Sequence, residues 1–191
     1  SQPRDPVSLR YLAQVVEAIG VARLVTSDVH NLAAFQNAFR IPTEDLSAVS
    51  LFAPALAEWL GPREVAVVAP DSGGMLRAEA LRGRLERVLG RPVARAIMEK
   101  RRSGGVVSGD HLAGEVAERV AILIDDLIST GTTLDRAVRA CRARGASAVY
   151  ACATHGLFSA QAAGLFAAMP IDGLLITDTV SGVPLPAALG T

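Results

Sequence analysis

A chain of 191 residues, half of them apolar and only 4% aromatic, is long enough for one full core and part of a second domain, and its composition holds nothing to suggest disorder. Its 19 basic and 19 acidic residues cancel, and an isoelectric point of about 6.8 leaves no global basic field of the kind that marks nucleic-acid binding. No apolar run reaches the length of a membrane span, and Cys141 and Cys152 stand in no metal-ligand spacing, so the expectation is a cytoplasmic α/β protein with two reduced thiols and no membrane contact.

In chain order, the opening stretch SQPRDPVSLR shows no signal-peptide pattern and, lacking Met, reads as a cut inside something longer. Apolar periodicity predicts an amphipathic helix over 7–20, closed by Gly20, and a short strand over 22–27. The segment DVHNLAAFQNAF reads as a loop, and IPTEDLSA at 41–48 as a linker. That linker divides the chain into a small leading piece, 1–47, and a larger remainder, 48–191. A helix near 48–60 and the strand EVAVVAP at 64–70 follow. Gly73 and Gly74 lead into a helix over about 75–89, whose Arg77, Arg82, Arg84 and Arg87 read as a solvated face. Next come a strand at 92–99, a polar glycine-rich stretch at 100–114 read as a loop, a short strand near 115–118 and a central strand at 120–125. The remainder alternates: a helix at 132–144, a strand at 148–154, a helix near 159–168 and a strand at 173–178.

This alternation predicts an α/β fold with a mainly parallel, twisted sheet and helices on both faces. Ligands then belong at the carboxyl ends of the strands. His30, Asp71, Lys100, Asp125 and His155 all fall at such ends.

The stretch VAILIDDLISTGTTL, residues 120–134, concentrates the chemistry. Asp125 and Asp126 close a buried strand, where carboxylates can accept hydrogen bonds from the vicinal hydroxyls of a sugar. The following STGTT opens a helix, so its backbone N–H groups and the hydroxyls of Ser129, Thr130, Thr132 and Thr133 can surround a phosphate. The plain alternative, a strand end and a capped helix, explains the loop but requires neither the paired acids nor the repeated hydroxyls. The loop is not a Walker A motif, because GxxxxGK[ST] is absent.

Of the 19 basic residues, 18 are arginine, and the single lysine is Lys100 in EKRRSGG. A compact ammonium and a planar guanidinium differ as phosphate partners, so its placement invites a chemical reading beside that of a solvated charge run. Asp71 sits where turn chemistry alone could account for it, and His30 and His155 could be structural. His111, in a polar stretch, carries no role.

ILIDDLISTGTTL resembles the ribose-phosphate binding motif shared by type I phosphoribosyltransferases and ribose-phosphate pyrophosphokinases. Four further segments resemble the pyrophosphokinases in particular: PDSGG at 70–74 their PDxGG element, EKRR at 99–102 their KRR, TSDVH at 26–30 their DLH, and ATHGLFS at 153–159 their THG-F-SG. An ordinary phosphoribosyltransferase would explain only the first match.

The resemblance implies a phosphoribosyltransferase-like fold and transfer of diphosphate from magnesium ATP to the anomeric hydroxyl of ribose 5-phosphate, in an assembly of identical chains. It implies that Thr130, Gly131, Thr132 and Thr133, with Ser129, cradle the 5-phosphate, and that Asp125 and Asp126 bind the ribose hydroxyls. Lys100 and Arg102 would stabilise the transferring group, delivered by a swinging loop, and His30 and Asp71 would serve the Mg2+ nucleotide. Magnesium prefers oxygen, so His30 would act through water.

Two departures stand out. The family's RQD segment, which contacts the nucleotide base, is absent from these 191 residues, as are its closing strand and helix, so a fragment or a short paralogue is expected. Thr132 stands where the motif usually has alanine-glycine or glycine, a strained position for a β-branched residue if the backbone must take φ > 0 there. The rival readings are a phosphoribosyltransferase that consumes phosphoribosyl diphosphate and a non-catalytic assembly subunit lacking nucleotide binding.

Overall fold

The computed structural model describes residues 8–103 and 106–181, and side chains there except those of 100–110. Its contacts divide the chain into two units, Ser1–Ala48 and Val49–Thr191.

The first unit holds helix α1 (Ser8–Ala18), strand β1 (Leu24–Ser27), helix α2 (Leu32–Ala38) and strand β2 (Thr43–Leu46). β1 and β2 pair in parallel, from Leu24 opposite Thr43 to Ser27 opposite Leu46. Its core is small: Ala13, Phe35 and Phe39, with Leu9, Val16, Leu24 and Ile41 packed around them. Two sequence expectations are corrected here. The supposed loop after β1 contains α2, because the Asn31 side chain accepts the Ala34 N–H at 2.9 Å and Phe35 and Phe39 meet at the spacing of one helical turn. The supposed linker 41–48 contains β2, whose exposed polar residues hide a strand that pairs with β1.

The second unit begins with α3 (Val49–Leu60) and β3 (Val65–Ala69), then α4 (Met75–Leu89), β4 (Ala94–Ser103), β5 (Val106–Gly114) and β6 (Val120–Ile128). It continues with α5 (Thr132–Ala143), β7 (Ala148–Gly156), α6 (Ala162–Ala168) and β8 (Gly173–Ile176). Six strands form one sheet in the order β5-β4-β3-β6-β7-β8, parallel throughout except for the β4–β5 pair. β3 is buried along its whole length, and so are residues 120–124 of β6; such continuous apolar runs are what a parallel strand covered on both faces requires. On one face α5 and α6 bury Leu134, Ala137, Val138, Cys141 and Phe166 against Ala66, Val68, Leu123 and Ala151. α5 does so with the 3.6-residue stripe of an amphipathic helix. α4 lies against β3, β6 and β4 and packs beside α3, burying Leu81 and Leu85.

The strand order reverses in the middle of the sheet. From β3 the chain passes to β4 and β5 on one side, then returns to lay β6 on the other side of β3 and continues to β7 and β8. Connections leaving β3 and β6 therefore diverge, and a crevice opens at the carboxyl ends of these two strands.

Two further expectations are corrected. Residues 100–103 and 106–114 are strands, not loop: β4 continues to Ser103 and pairs antiparallel with β5, which begins at Val106, with a register shift between Lys100 and Arg102. Cross-strand pairing overrides the weak strand propensity of this glycine-rich stretch. Residues 115–118 are not a strand but a turn, in which Glu118 takes φ 60° and its N–H donates to the Gly145 carbonyl at 2.8 Å. Both cysteines are buried and outside any disulfide, and burial pushes the Cys141 thiol up to about 12. Among the described residues, no helix is long and apolar enough to cross a membrane.

Candidate functional site

β6 outruns its neighbour on one side only. Its ladder with β3 ends at Leu123 opposite Val68, whereas its ladder with β7 runs on to Ile128 opposite Gly156. Asp125 and Asp126 thus belong to the strand rather than to its end, and they stand past β3 in the crevice. The Asp125 carboxylate accepts the Asp126 N–H at 2.9 Å. Burial pushes the Asp125 carboxyl up to about 7; hydrogen bonding and repulsion from Asp126 add to this, and Asp71 contributes a smaller repulsion. Asp126 is only 6% exposed. Its Oδ1 lies 3.7 Å from Nη1 of Arg77, whose side chain is also largely buried. Arg77 is therefore not part of the solvated face expected for α4. Arg84 and Arg87 are exposed as expected, while Arg82 is half-buried between Glu79 and Glu86.

After β6 the chain turns sharply into α5. Gly131 takes the left-handed conformation, φ 80° and ψ 1°, and its carbonyl accepts the Asp135 N–H at 2.8 Å to start the helix. The Thr130 and Thr132 hydroxyls share a hydrogen bond of 2.9 Å. Asp125 and residues 127–134 line a cavity of about 150 Å³ that opens beside the first turn of α5. The concern over Thr132 is resolved: the positive φ belongs to Gly131, and Thr132 is the first helical residue. N–H groups and hydroxyls converging at a helix start form an anion-binding concavity.

The segment 153–159 braces this loop. The Leu157 and Phe158 N–H groups donate to the Ile128 carbonyl at 2.9 and 3.2 Å, and the Ser159 N–H donates to Ser129 at 3.0 Å. Phe158 stacks edge-on against Phe166 at 5.7 Å, and Phe166 lies directly under Gly131. His155 is held by Thr179 at 2.8 Å, consistent with a structural place for this histidine.

Asp71 follows β3 on the other side of the crevice, exposed, with Oδ1 accepting the Gly74 N–H at 3.0 Å. His30 belongs to the first unit and is exposed after Asp28, a buried residue with φ 44° whose Oδ2 accepts the Ala48 N–H at 2.8 Å. The backbone of Lys100 and Arg102 continues β4 beyond its last pairing with β3, Ile97 opposite Ala69, at the same edge of the sheet. Their side chains lie outside the described residues. The fold thus brings Asp71, Asp125, Asp126 and Ser129 to Thr133 to one edge. Among the described residues no group of three or more His, Cys, Asp or Glu could hold a metal ion.

Sequence reasoning missed Arg77 and Phe166. Arg77 was findable: the first turn of a helix that follows a strand and a Gly-Gly turn must lie at the carboxyl end of that strand. Phe166 carries no local signal, because its partner Gly131 is distant in sequence.

Known proteins resemble this chain in sequence and in fold. The family model described as "Phosphoribosyl synthetase-associated domain" matches residues 106–184. The chain is 38% identical to a ribose-phosphate pyrophosphokinase of Granulibacter bethesdensis over 181 residues, 94% of this chain and 56% of that protein. It is 37% identical to one from Thermotoga maritima, over 96% of this chain and 57% of that protein. The crystal structure of phosphoribosylpyrophosphate synthetase from Mycobacterium smegmatis superposes with a TM-score of 0.82 at 29% identity, covering 95% of this chain and 57% of that one. The chain spans little more than half the length of these relatives. Over nearly all of its own length the chain is similar to the ribose-phosphate pyrophosphokinases in sequence and in fold.

Proposed function

We propose that the protein transfers diphosphate from magnesium ATP to the anomeric hydroxyl of ribose 5-phosphate, giving 5-phosphoribosyl 1-diphosphate and AMP in nucleotide precursor synthesis. The observation that carries this reading is the single cavity lined by Asp125 and the Ser129 to Thr133 turn. A carboxylate that accepts sugar hydroxyls and a cradle for a phosphate there lie within one sugar phosphate of each other.

In this reading the turn at Thr130, Gly131, Thr132 and Thr133 holds the 5-phosphate, and Asp125 and Asp126 orient the ribose. The anomeric hydroxyl then faces the crevice toward Asp71. Such a hydroxyl is a weak nucleophile, so fixed positioning and neutralisation of developing charge supply the acceleration. Lys100 and Arg102 meet that charge from the adjacent β4. Magnesium in such sites takes one or two carboxylates and completes its shell with water and substrate phosphates, so the exposed Asp71 would fit as one ligand. The ion would supply charge neutralisation on the polyphosphate. Two buried thiols outside any disulfide accord with a reducing, cytoplasmic setting.

Phosphorus-31 magnetic resonance of a reaction containing the full-length protein, magnesium ATP and ribose 5-phosphate tests the reading. The expected products are AMP and a diphosphate ester at the anomeric carbon. Release of ADP, or consumption of phosphoribosyl diphosphate with a nucleobase in its place, would overturn it.

A further inference from the structure

Arg77 is set apart from the other arginines of α4. Arg84 and Arg87 are exposed, and Arg82 is occupied by Glu79 and Glu86 on its own helix. Arg77 instead turns inward from the first turn of α4, its side chain only 14% exposed, toward an Asp126 side chain that is 8% exposed. Withdrawing a guanidinium from water this far has a desolvation cost, which an opposite charge at the same depth offsets. The approach of 3.7 Å is longer than a hydrogen bond, so the contact is one of charge. The same positive charge opposes the repulsion between the adjacent Asp125 and Asp126 carboxylates.

We propose that Arg77 is a positioning residue: it holds the Asp126 carboxylate in place for the sugar hydroxyls and ties the start of α4, beyond the Asp71 turn, to the acid pair of β6. This rests on the sugar-phosphate reading of the site. The phosphate cradle at Ser129 to Thr133 is a separate element, and Arg77 is not among the residues lining its cavity. Loss of Arg77 therefore acts on recognition of the sugar and not on recognition of the phosphate.

The test compares ribose 5-phosphate with inorganic phosphate by calorimetry, on the 191-residue chain and its Arg77→Gln and Arg77→Lys variants. Arg77→Gln is expected to weaken ribose 5-phosphate about tenfold or more, the scale of one lost charge-assisted contact, while inorganic phosphate binds as before. Arg77→Lys should recover part of the preference, since it keeps the charge. Because the readout is a ratio of two affinities in one sample, a modest loss of stability does not disturb it. Equal weakening of both ligands would assign Arg77 to the fold alone, and no change in either would leave it without a role; each overturns the proposal. Wild-type protein that binds inorganic phosphate no more weakly than ribose 5-phosphate would instead overturn the sugar-phosphate reading itself, and the Arg77 role with it.

Discussion

Gly131 sits over the Phe166 ring at the turn from β6 into α5: a methyl group on Gly131 would lie 2.9 Å from Phe166 Cε2. Gly131 also holds φ 80°, a conformation that other residues reach only with strain. The turn is thus shaped from below by an aromatic ring and from within by a missing side chain. Gly131→Ala should destabilise the second unit by about 1–3 kcal/mol, combining left-handed strain with overpacking. It should also weaken phosphate binding. Thermal unfolding and phosphate titration of the variant check both.

Asp125 gives the protein a characteristic pH dependence. Its folded carboxyl titrates at about 7, whereas the ordinary value is 3.8. Between roughly pH 4 and 7 the folded state therefore binds more protons than the unfolded state, and stability falls as pH rises through that window. Asp125→Asn removes this contribution. The variant should melt above the wild type at pH 8 and converge with it at pH 4, as followed by circular dichroism.

Asp126 should behave differently from its neighbour. The sequence suggests that both acids serve only the ribose, so that either amide variant would leave the melting temperature nearly unchanged. Burial of Asp126 beside Arg77 changes that expectation. Asp126→Asn leaves a largely buried guanidinium without its counter-charge and should cost about 1–3 kcal/mol of stability. Denaturant unfolding of the two single variants at neutral pH separates the two carboxylates.

Lys100 is the residue expected to act on the transferring group, so its interactions should be strongest in the transition state. In the full-length protein, Lys100→Ala should lower turnover on the order of 100-fold with substrate affinity nearly intact, the scale for losing one preorganised donor. Lys100→Arg should be impaired too, because a planar fork cannot replace a compact ammonium. Steady-state kinetics of both variants decide between this role and a solvated charge run.

The parts of this structure that the sequence disclosed were those with long, uniform signals. The buried runs of β3 and β6 and the amphipathic α5 follow from period and burial alone, and the DDLISTGTT stretch announces its own turn. Short elements were hidden. α2 rests on one cap and one aromatic pair, β2 is exposed at alternate positions, and β5 is a strand only because β4 extends to pair with it. In the site, local chemistry marked Asp125 and Gly131, but the contacts that set them are non-local. Arg77 reaches Asp126 and Phe166 reaches Gly131 only after the sheet order is established.

The central claim is that the end of β6 and the start of α5 form a sugar-phosphate site, and calorimetric titration of the 191-residue chain with ribose 5-phosphate tests it most directly. Saturable binding is predicted for the wild type, weakened by about 1–3 kcal/mol in Asp125→Asn through loss of a charged acceptor for the ribose hydroxyls. Absence of binding in the wild type, or the same affinity in wild type and Asp125→Asn, would contradict the account.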